Sequence, residues 1–460
     1  MQTLNSRWWL ALVLTAATAI RLFVLVADWG TLAQDNDAYA ELAVNVSTTG
    51  TYGFVQKTPA ASQEASHSSA ATDSRVRPTA FRPPVYPLML SLAVREGKLD
   101  LRFVAAIHWV LGVLTVLIVF EIATRLRLNW PIVPALAVAC DPILLRGSQL
   151  VMTETLITFF SVAIWGLWLY LLRRNLVQGH SRADRARTAV RGAALLGLLM
   201  GLAVLTRPTM LPWSVALIGL LTLRRADSAK RLPMVIVCSS IFLLVMLTWA
   251  VRNKRVLNAT VFTTTHGGYT LLLANNPSLY QHLKTSGVDR HWDDTDFQAR
   301  WALRKEADPT KADFWSKPIQ EKPNQEKTSL LPLDEMADDR LAQRAALAVI
   351  DRDPAAFALS CLYRQSWFWA LSPRDIPIEF QFLIGTWYGV WFVWALLGLS
   401  YIGRGWTSRI WMAPALLIVS LSLVHAVYWS NMRMRAPLMP IIYVVASIPI
   451  VGRKPAAREF

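Results

Sequence analysis

The chain has 460 residues, of which 54% are hydrophobic and 20 are Trp, with a mean hydropathy of +0.33 and a formal net charge of +16. Its apolar residues gather into runs of about 20, long enough to cross a bilayer, which excludes an ordinary soluble globular protein. The Lys and Arg residues stand mostly in short loops between those runs, with no basic stripe interleaved with aromatics, so the charge does not point to a nucleic-acid partner. Three scattered cysteines, Cys140, Cys238 and Cys361, offer neither a disulfide framework nor a metal-ligand spacing.

At the N-terminus Arg7 precedes an apolar stretch that runs past any obvious cleavage site, which reads as an uncleaved first span. The requirement of roughly 20 apolar residues per helix gives about ten spans, at 8–27, 101–121, 131–146, 154–172, 190–206, 209–223, 232–251, 380–402, 409–428 and 435–451. The third is short and carries Pro131 and Pro134 at its start. The segment Val85–Val94 is too short to span and follows Pro83 and Pro84, which places it at the interface or partway into the membrane. The expected fold is an all-α polytopic membrane protein with a small mixed extracytoplasmic domain. It divides into a transmembrane module 1–251, an outer segment 252–378 and C-terminal helices 379–460. No repeat of solenoid length is present.

Orientation follows from the loops. A cytoplasmic N-terminus puts Arg125, Arg127, Arg173, Arg174, Arg182, Arg185, Arg187, Arg224, Arg225, Lys230, Arg231, Arg404, Arg453 and Lys454 inside, as the positive-inside rule requires. Residues 28–100 and 252–378 then face out. The first outer segment contains a Ser/Ala-rich tract, 57–75, without apolar periodicity, which reads as a flexible insertion. The second mixes Trp, Pro and charge and has room for short helices such as Leu341–Ile350.

Acids at the outer face are the first chemical signal. Asp35 and Asp37 lie just past span 1, and from Asp37 onward Tyr39, Leu42, Ala43 and Val46 follow helical spacing, so an amphipathic interfacial helix starts here. Carboxylates at its start suit the helix dipole or a cap; they also suit a general base that activates an acceptor. Asp37, nearer the helix body, is expected to cap it or orient a neighbour, while Asp35 points away from the first turn. Glu154 opens span 4 at the same face, where a carboxylate on an apolar helix is costly unless paired or hydrated. Basic residues placed against the orientation rule are the second signal: Arg82 in TAFRPPVYP, Arg207 in LTRPTM, Arg252 after span 7, and Arg433 and Arg435 in NMRMRAP. Guanidinium groups at one membrane depth suit an anionic headgroup, since they bind phosphate bidentately; each alone also suits snorkelling. Arg21, inside span 1, is a weaker case of the same kind. Gly267 and Gly268 permit a close backbone approach to a sugar or phosphate, or form a plain turn, and His266 beside them is more often structural than a ligand. No GxGxxG, P-loop or HExxH pattern appears.

Taken in order, DNDAYAELAVNVSTTGTYGF, TAFRPPVYPLML, the TET of span 4, LAVLTRP, WAVRN with TTTHGGYTLLLANNP, and RMRAPLMP resemble the GT-C glycosyltransferases. The likeness is to the bacterial branch related to protein O-mannosyltransferases and the lipid A aminoarabinose transferase. Each piece is loose alone, but the ordered set covers most of the chain. The resemblance implies a polyprenyl-phosphate-linked sugar donor, an active site on the extracytoplasmic face of the inner membrane, and inversion by direct displacement. It implies that the catalytic carboxylate four residues before Tyr39 is Asp35. Where relatives often have an acid next, this chain has Asn36 and then Asp37, which leaves the base between Asp35 and Asp37. Glu154 matches the second acidic position, and Arg82 matches the basic residue before proline that contacts the donor phosphate. Arg207, Arg433 and Arg435 join it as phosphate ligands, with Tyr39, Arg252, Gly267 and Gly268 positioning substrate. No cofactor is required, a divalent cation stays an open option, and the acceptor is a protein, a lipid or a glycan.

A transporter or a flippase for lipid-linked glycans is the alternative, since it too would have many spans and intramembrane charge. Transporters usually carry paired repeats and helices interrupted near the midplane, whereas the charges here sit at one face. The orientation has a direct check. Reporter fusions after Arg174 and after Arg225 are expected to read cytoplasmic, and one near Asn324 external; an external signal at Arg174 would invert the whole assignment.

Overall fold

The structure is a computed structural model, and it describes residues 2–35, 37–55, 76–174, 182–222, 228–286, 292–316, 334–374 and 376–452. The 57–75 tract expected as an insertion lies outside the described residues, as does Asn36.

Among the described residues, eight helices are long and apolar enough to cross a membrane: Trp8–Ala27, Leu101–Arg125, Glu154–Leu172, Arg187–Val204, Leu232–Leu257, Ile378–Ile402, Arg409–Val427 and Met432–Val451. They are apolar around most of their circumference, as helices are when both core and lipid receive apolar side chains. The last of them is the most enclosed, with 78% of its span buried, and Ile378–Ile402 the least, with 11%. Met432–Val451 therefore forms a central post, while Phe382, Leu383 and Leu396 on the outer helix stay exposed, as a lipid-facing surface does.

The other two expected spans take different forms. The segment 131–146 is two short helices, Ile132–Ala139 and Pro142–Ser148. The break falls at Asp141, whose carboxylate accepts from Leu144 N at 2.7 Å, just before a Pro that has no N–H to continue the first helix. The pair nevertheless runs the length of the bundle beside span 1. Trp130 meets Trp9 near one end, with ring centroids 5.9 Å apart, and Arg146 meets Asp28 at the other, at 2.7 Å. At the first of those ends Asn129 donates to Val451 O at 2.8 Å. The segment 209–223 becomes a short 3-10 turn, Pro208–Met210, and a twelve-residue helix, Leu211–Thr222, too short for the eighteen-residue criterion that the others meet.

The interfacial segment 85–94 is a seven-residue helix, Val85–Ser91, followed by a tight antiparallel pair, Val94–Arg95 with Lys98–Leu99. The expected amphipathic helix is Tyr39–Thr49, buried along Tyr39, Leu42, Ala43 and Asn45 and closed by Gly50 at φ 70°, a left-handed position that favours Gly. Between these two helices, Gly53–Val55 pairs antiparallel with Val76–Pro78. A Cβ at Gly53 would run into the Arg77 carbonyl, so only Gly fits this pairing.

The segment 252–378 is helical, with Gly267–Ala274, Pro277–Thr285, Thr295–Ala302, Glu335–Arg352 and Pro354–Phe368 as its main elements. No strand occurs among its described residues. The helices enclose their own apolar cluster of Leu272, Trp292, Phe297, Trp301 and Trp315.

Close helix contacts in the bundle depend on missing side chains. A Cβ at Gly197 would meet the Cys238 carbonyl, whereas one at Gly219 would meet nothing within 4 Å. Gly197→Leu is therefore expected to lower the thermal unfolding midpoint of the purified protein by the equivalent of about 1–3 kcal/mol of overpacking. Gly219→Leu should leave the midpoint near its starting value, and equal shifts would contradict this packing.

Candidate active site

The first outer segment and three span ends meet at one end of the bundle. Ala38, between Asp37 and Tyr39, sits at φ 59°, a left-handed conformation unusual for a residue with a Cβ. That turn gives the two acids different tasks. Asp35 Oδ2 accepts from Glu41 N at 3.0 Å and so caps the Tyr39–Thr49 helix, while its Oδ1 is buried with no hydrogen-bond partner among the described residues. Asp37 instead meets Arg82, which donates to its carboxylate at 2.8 Å and to its backbone carbonyl at 3.0 Å. Of the two expectations for Asp37, capping is corrected, since Asp35 is the cap, and the contact found is with a neighbour, Arg82. The left-handed turn folds Asp35 back over the first helical turn and turns Asp37 toward Arg82.

Arg82 lies over the rings of Phe81 and Tyr39, at 4.9 and 5.4 Å from their centroids. Tyr52 fixes its backbone, donating its hydroxyl to Arg82 O at 2.8 Å.

Glu154 begins its span almost fully buried, at 4% exposure. Its Oε1 lies 3.9 Å from Arg207 Nη1 and 3.8 Å from Arg433 Nε, and its Oε2 has no hydrogen-bond partner among the described residues. Both distances exceed a hydrogen bond, so the two arginines neutralise the acid without consuming their N–H groups on it. Each rests against a thioether, Arg207 on Met434 Sδ and Arg433 on Met152 Sδ. Sulfur is a weak acceptor, so both guanidinium groups keep donor capacity that an oxyanion would satisfy better.

The acids and arginines share one neighbourhood. Burial pushes the Tyr39 phenol up to about 12; Asp37 and Glu154 add to this, while Arg82 and Arg207 oppose it. Burial also raises Tyr86, which feels Tyr39, Glu154 and Asp35. Tyr39 stays a neutral phenol across the physiological range, which suits it to positioning and not to taking a proton. Behind it, Tyr86 Oη lies 3.0 Å from His108 Nε2, and His108 Nδ1 lies 2.9 Å from Ser148 O. A carbonyl can only accept, so His108 carries its proton on Nδ1 and accepts from Tyr86 at Nε2. Arg21 Nη1 reaches the same Ser148, donating to Oγ at 2.8 Å. It is buried below the site and does not join its rim.

Other sequence candidates fall outside this cluster. Arg252 is a clasp for the first outer segment, donating to Thr79 O at 2.7 Å and Tyr52 O at 2.8 Å. Arg435 is fully buried, donates to Phe368 O at 2.9 Å and to Ala370 O at 2.5 Å, and stacks over Tyr388 at 4.7 Å. Gly268 allows the Gly267–Ala274 helix to touch the Glu335–Arg352 helix, where a Cβ would strike the Asp339 carbonyl; Gly267 borders open space. His266 packs between Phe81 and Tyr269, with centroids at 4.3 and 5.1 Å, and burial together with Arg82 lowers it to about 3, so its ring is neutral. Among the described residues, no group of three or more His, Cys, Asp or Glu side chains could hold a metal ion.

The sequence reading passed over two acids. Asp141 is fully buried, accepting from Tyr443 Oη and lying 3.3 Å from Tyr388 Oη. A lone acid in the apolar run ALAVACDPILL was the available signal. Glu335 had none, because its partners are about 255 residues away in the chain.

No protein-family model matches the sequence, and no curated protein does. Among solved structures, the chain is similar to the archaeal oligosaccharyltransferase AglB from Archaeoglobus fulgidus in complex with an inhibitory peptide and a dolichol-phosphate. The TM-score is 0.51 at 17% identity, covering 96% of this chain and 50% of that one. The apo crystal structure of the Archaeoglobus fulgidus oligosaccharyltransferase gives 0.52 at 14% identity, with 96% and 50% covered. ArnT from Cupriavidus metallidurans bound to undecaprenyl phosphate gives 0.40 at 16% identity, with 96% and 78% covered. The chain therefore shares the fold of the membrane part it covers in these oligosaccharyltransferase structures. The chain spans about half the length of the AglB structures it matches.

The two neighbouring arginines of the last span give opposite expectations. Arg435→Ala removes a buried cation from two carbonyls and two rings and should lower the thermal midpoint. Arg433→Ala should leave the midpoint near normal and weaken binding of a polyprenyl phosphate. Thermal unfolding and lipid-phosphate binding on both variants check the contrast, and a reversed pattern would exchange the two roles.

Proposed function

We propose that this protein is a membrane glycosyltransferase that moves a sugar from a polyprenyl-phosphate-linked donor to an acceptor at the extracytoplasmic face. The observation that carries the reading is a buried, unpartnered Asp35 Oδ1 at the end of the bundle where Arg82 pairs with Asp37 and where Arg207 and Arg433 flank Glu154. A carboxylate oxygen kept from water and left without a donor is ready to accept a proton. Guanidinium groups seated on thioethers are ready for phosphate. AglB, whose fold this chain shares, has been captured with a dolichol-phosphate, which supports a lipid-phosphate ligand here. The excess of Lys and Arg in the loops at the opposite end supports an extracytoplasmic site.

In this reading Asp35 takes the proton of the acceptor as its nucleophilic atom attacks the anomeric carbon. The bond from that carbon to the phosphate oxygen breaks, and the polyprenyl phosphate leaves with the bonding pair. Its growing charge is met by Arg82, Arg207 and Arg433, whose positions are set before reaction, so the interaction is strongest in the transition state. Asp37 holds Arg82 on both its carboxylate and its carbonyl and so positions a phosphate ligand. Glu154 keeps Arg207 and Arg433 together. Tyr39 lines the site as a neutral donor. Asp35 is favoured over Asp37 as the base because the Asp37 carboxylate is ion-paired with Arg82 at 2.8 Å, whereas Asp35 Oδ1 has no partner among the described residues.

The test is transfer from a labelled polyprenyl-phosphate sugar by the purified protein, with protein, lipid and glycan acceptors supplied in turn. Asp35→Asn is expected to reduce turnover by about 10²–10⁴-fold with donor binding retained. Asp37→Asn should raise the donor KM more than it lowers kcat, because it frees Arg82. A dead Asp37→Asn beside a nearly normal Asp35→Asn would transfer the base to Asp37. Movement of intact lipid-linked sugar between leaflets without transfer would favour a flippase.

A further inference from the structure

We infer that Glu335 is a positioning residue for Arg82, through which the Glu335–Arg352 helix sets the geometry of the donor-phosphate site; this rests on the reading of Arg82 given above. Glu335 is the first residue of its helix, and its carboxylate reaches back to the strand that delivers Arg82. Oε1 accepts from Ala80 N at 2.9 Å, and Oε2 accepts from Thr79 Oγ1 at 2.5 Å. The Thr79 hydroxyl in turn accepts from Phe81 N at 2.9 Å. Since that hydroxyl has one proton and gives it to Glu335, the direction of the whole chain is fixed: Phe81 N–H to Thr79 Oγ1, Thr79 O–H to Glu335.

The carbonyls of the same stretch are tied as well. Thr79 O accepts from Arg252 at 2.7 Å, Ala80 O from Thr265 N at 3.0 Å, and Phe81 O from Thr264 Oγ1 at 2.5 Å. The C=O of Thr79 and the N–H of Ala80 belong to one peptide unit. Arg252 therefore grips one end of that unit and Glu335 the other, so both hydrogen bonds are charge-assisted and each polarises the peptide in favour of the other. Thr79 and Ala80 are both fully buried.

The neighbours of Glu335 explain why it matters beyond local tying. Its helix packs on the Gly267–Ala274 helix, where Gly268 N donates to Asp339 at 2.7 Å, and His266 at the start of that helix lies against Phe81. The outer helices thus reach the Phe81–Arg82 dipeptide by two routes, Glu335 through its bonds to Thr79 and Ala80 just before it and His266 through the Phe81 ring. An acid in a helix's first turn ordinarily complements the helix dipole and does no more. Here the carboxylate is spent on a strand far away in sequence.

The experiment uses the purified full chain in detergent micelles with polyprenyl phosphate itself as the probe. Glu335→Gln and Thr79→Val are each expected to weaken its binding roughly ten-fold, the scale of a lost hydrogen bond to a charged group. Thr79→Ser, which keeps the hydroxyl, should restore binding. Asp338→Asn, which removes the partner of Arg304 in the same helix, should leave binding unchanged. In an Arg82→Ala background, Glu335→Gln should add less than about two-fold, because its effect runs through Arg82. Parental binding by Glu335→Gln, or the same loss with and without Arg82, would overturn the inference. If Glu335→Gln does not fold, equal binding by Thr79→Val and the parent overturns it instead. No binding by the parent protein would overturn the reading of the donor site and this inference together.

Discussion

A carboxylate held out of water at the mouth of a membrane bundle must be neutralised where it stands, because an unpaired buried charge is destabilising by several kcal/mol. Glu154 is in that position, and its neighbourhood is arranged around it. Arg207 arrives from the turn that follows the Arg187–Val204 span, and Arg433 from the 3-10 entrance to the last span. The acid thereby joins elements that are far apart in sequence, at the depth where apolar packing against lipid gives little specificity. The thioethers of Met152 and Met434 receive the remaining guanidinium edges as soft, replaceable partners.

The first outer segment is organised on a different principle. It has few long elements, and its short strand pair is too small to hold itself together. Its order comes from side chains that grip its backbone: Tyr52 on the Arg82 carbonyl, Arg252 on the Tyr52 and Thr79 carbonyls, and Glu335 on the Ala80 amide. Membrane bundle and outer helices therefore both determine where Arg82 stands, and the outer helices reach it through backbone hydrogen bonds.

Structural and functional readings of the outer-face acids turn out to be compatible within one side chain. Asp35 uses one oxygen as a helix cap and keeps the other unpartnered, so the cap orients the oxygen that we propose as the base. Ala38 in a left-handed conformation makes this possible, and backbone strain of that kind persists only where surrounding contacts over-determine it. The Arg82–Asp37 pair and the burial of Tyr39 provide those contacts here.

The amino-acid sequence by itself determined the membrane class, the position of nearly every span, and the collection of acids and arginines at one membrane face. Those properties depend on local apolar run length and on the placement of charge, and both are written along the chain. Only the tertiary structure decided what Asp141, at the break in 131–146, meets, since its partners Tyr388 and Tyr443 come from distant helices. Tertiary structure also separated arginines that look alike in sequence. Arg433 and Arg435 are two residues apart, yet the 3-10 turn that carries them aims one at Glu154 and buries the other against Phe368 O and Ala370 O. Which of Asp35 and Asp37 caps the helix was likewise decided at one left-handed residue, and Glu335 was invisible because its partners lie hundreds of residues earlier. Spacing along a chain encodes which face a side chain occupies, but the partner it meets there is set by which elements the fold brings alongside.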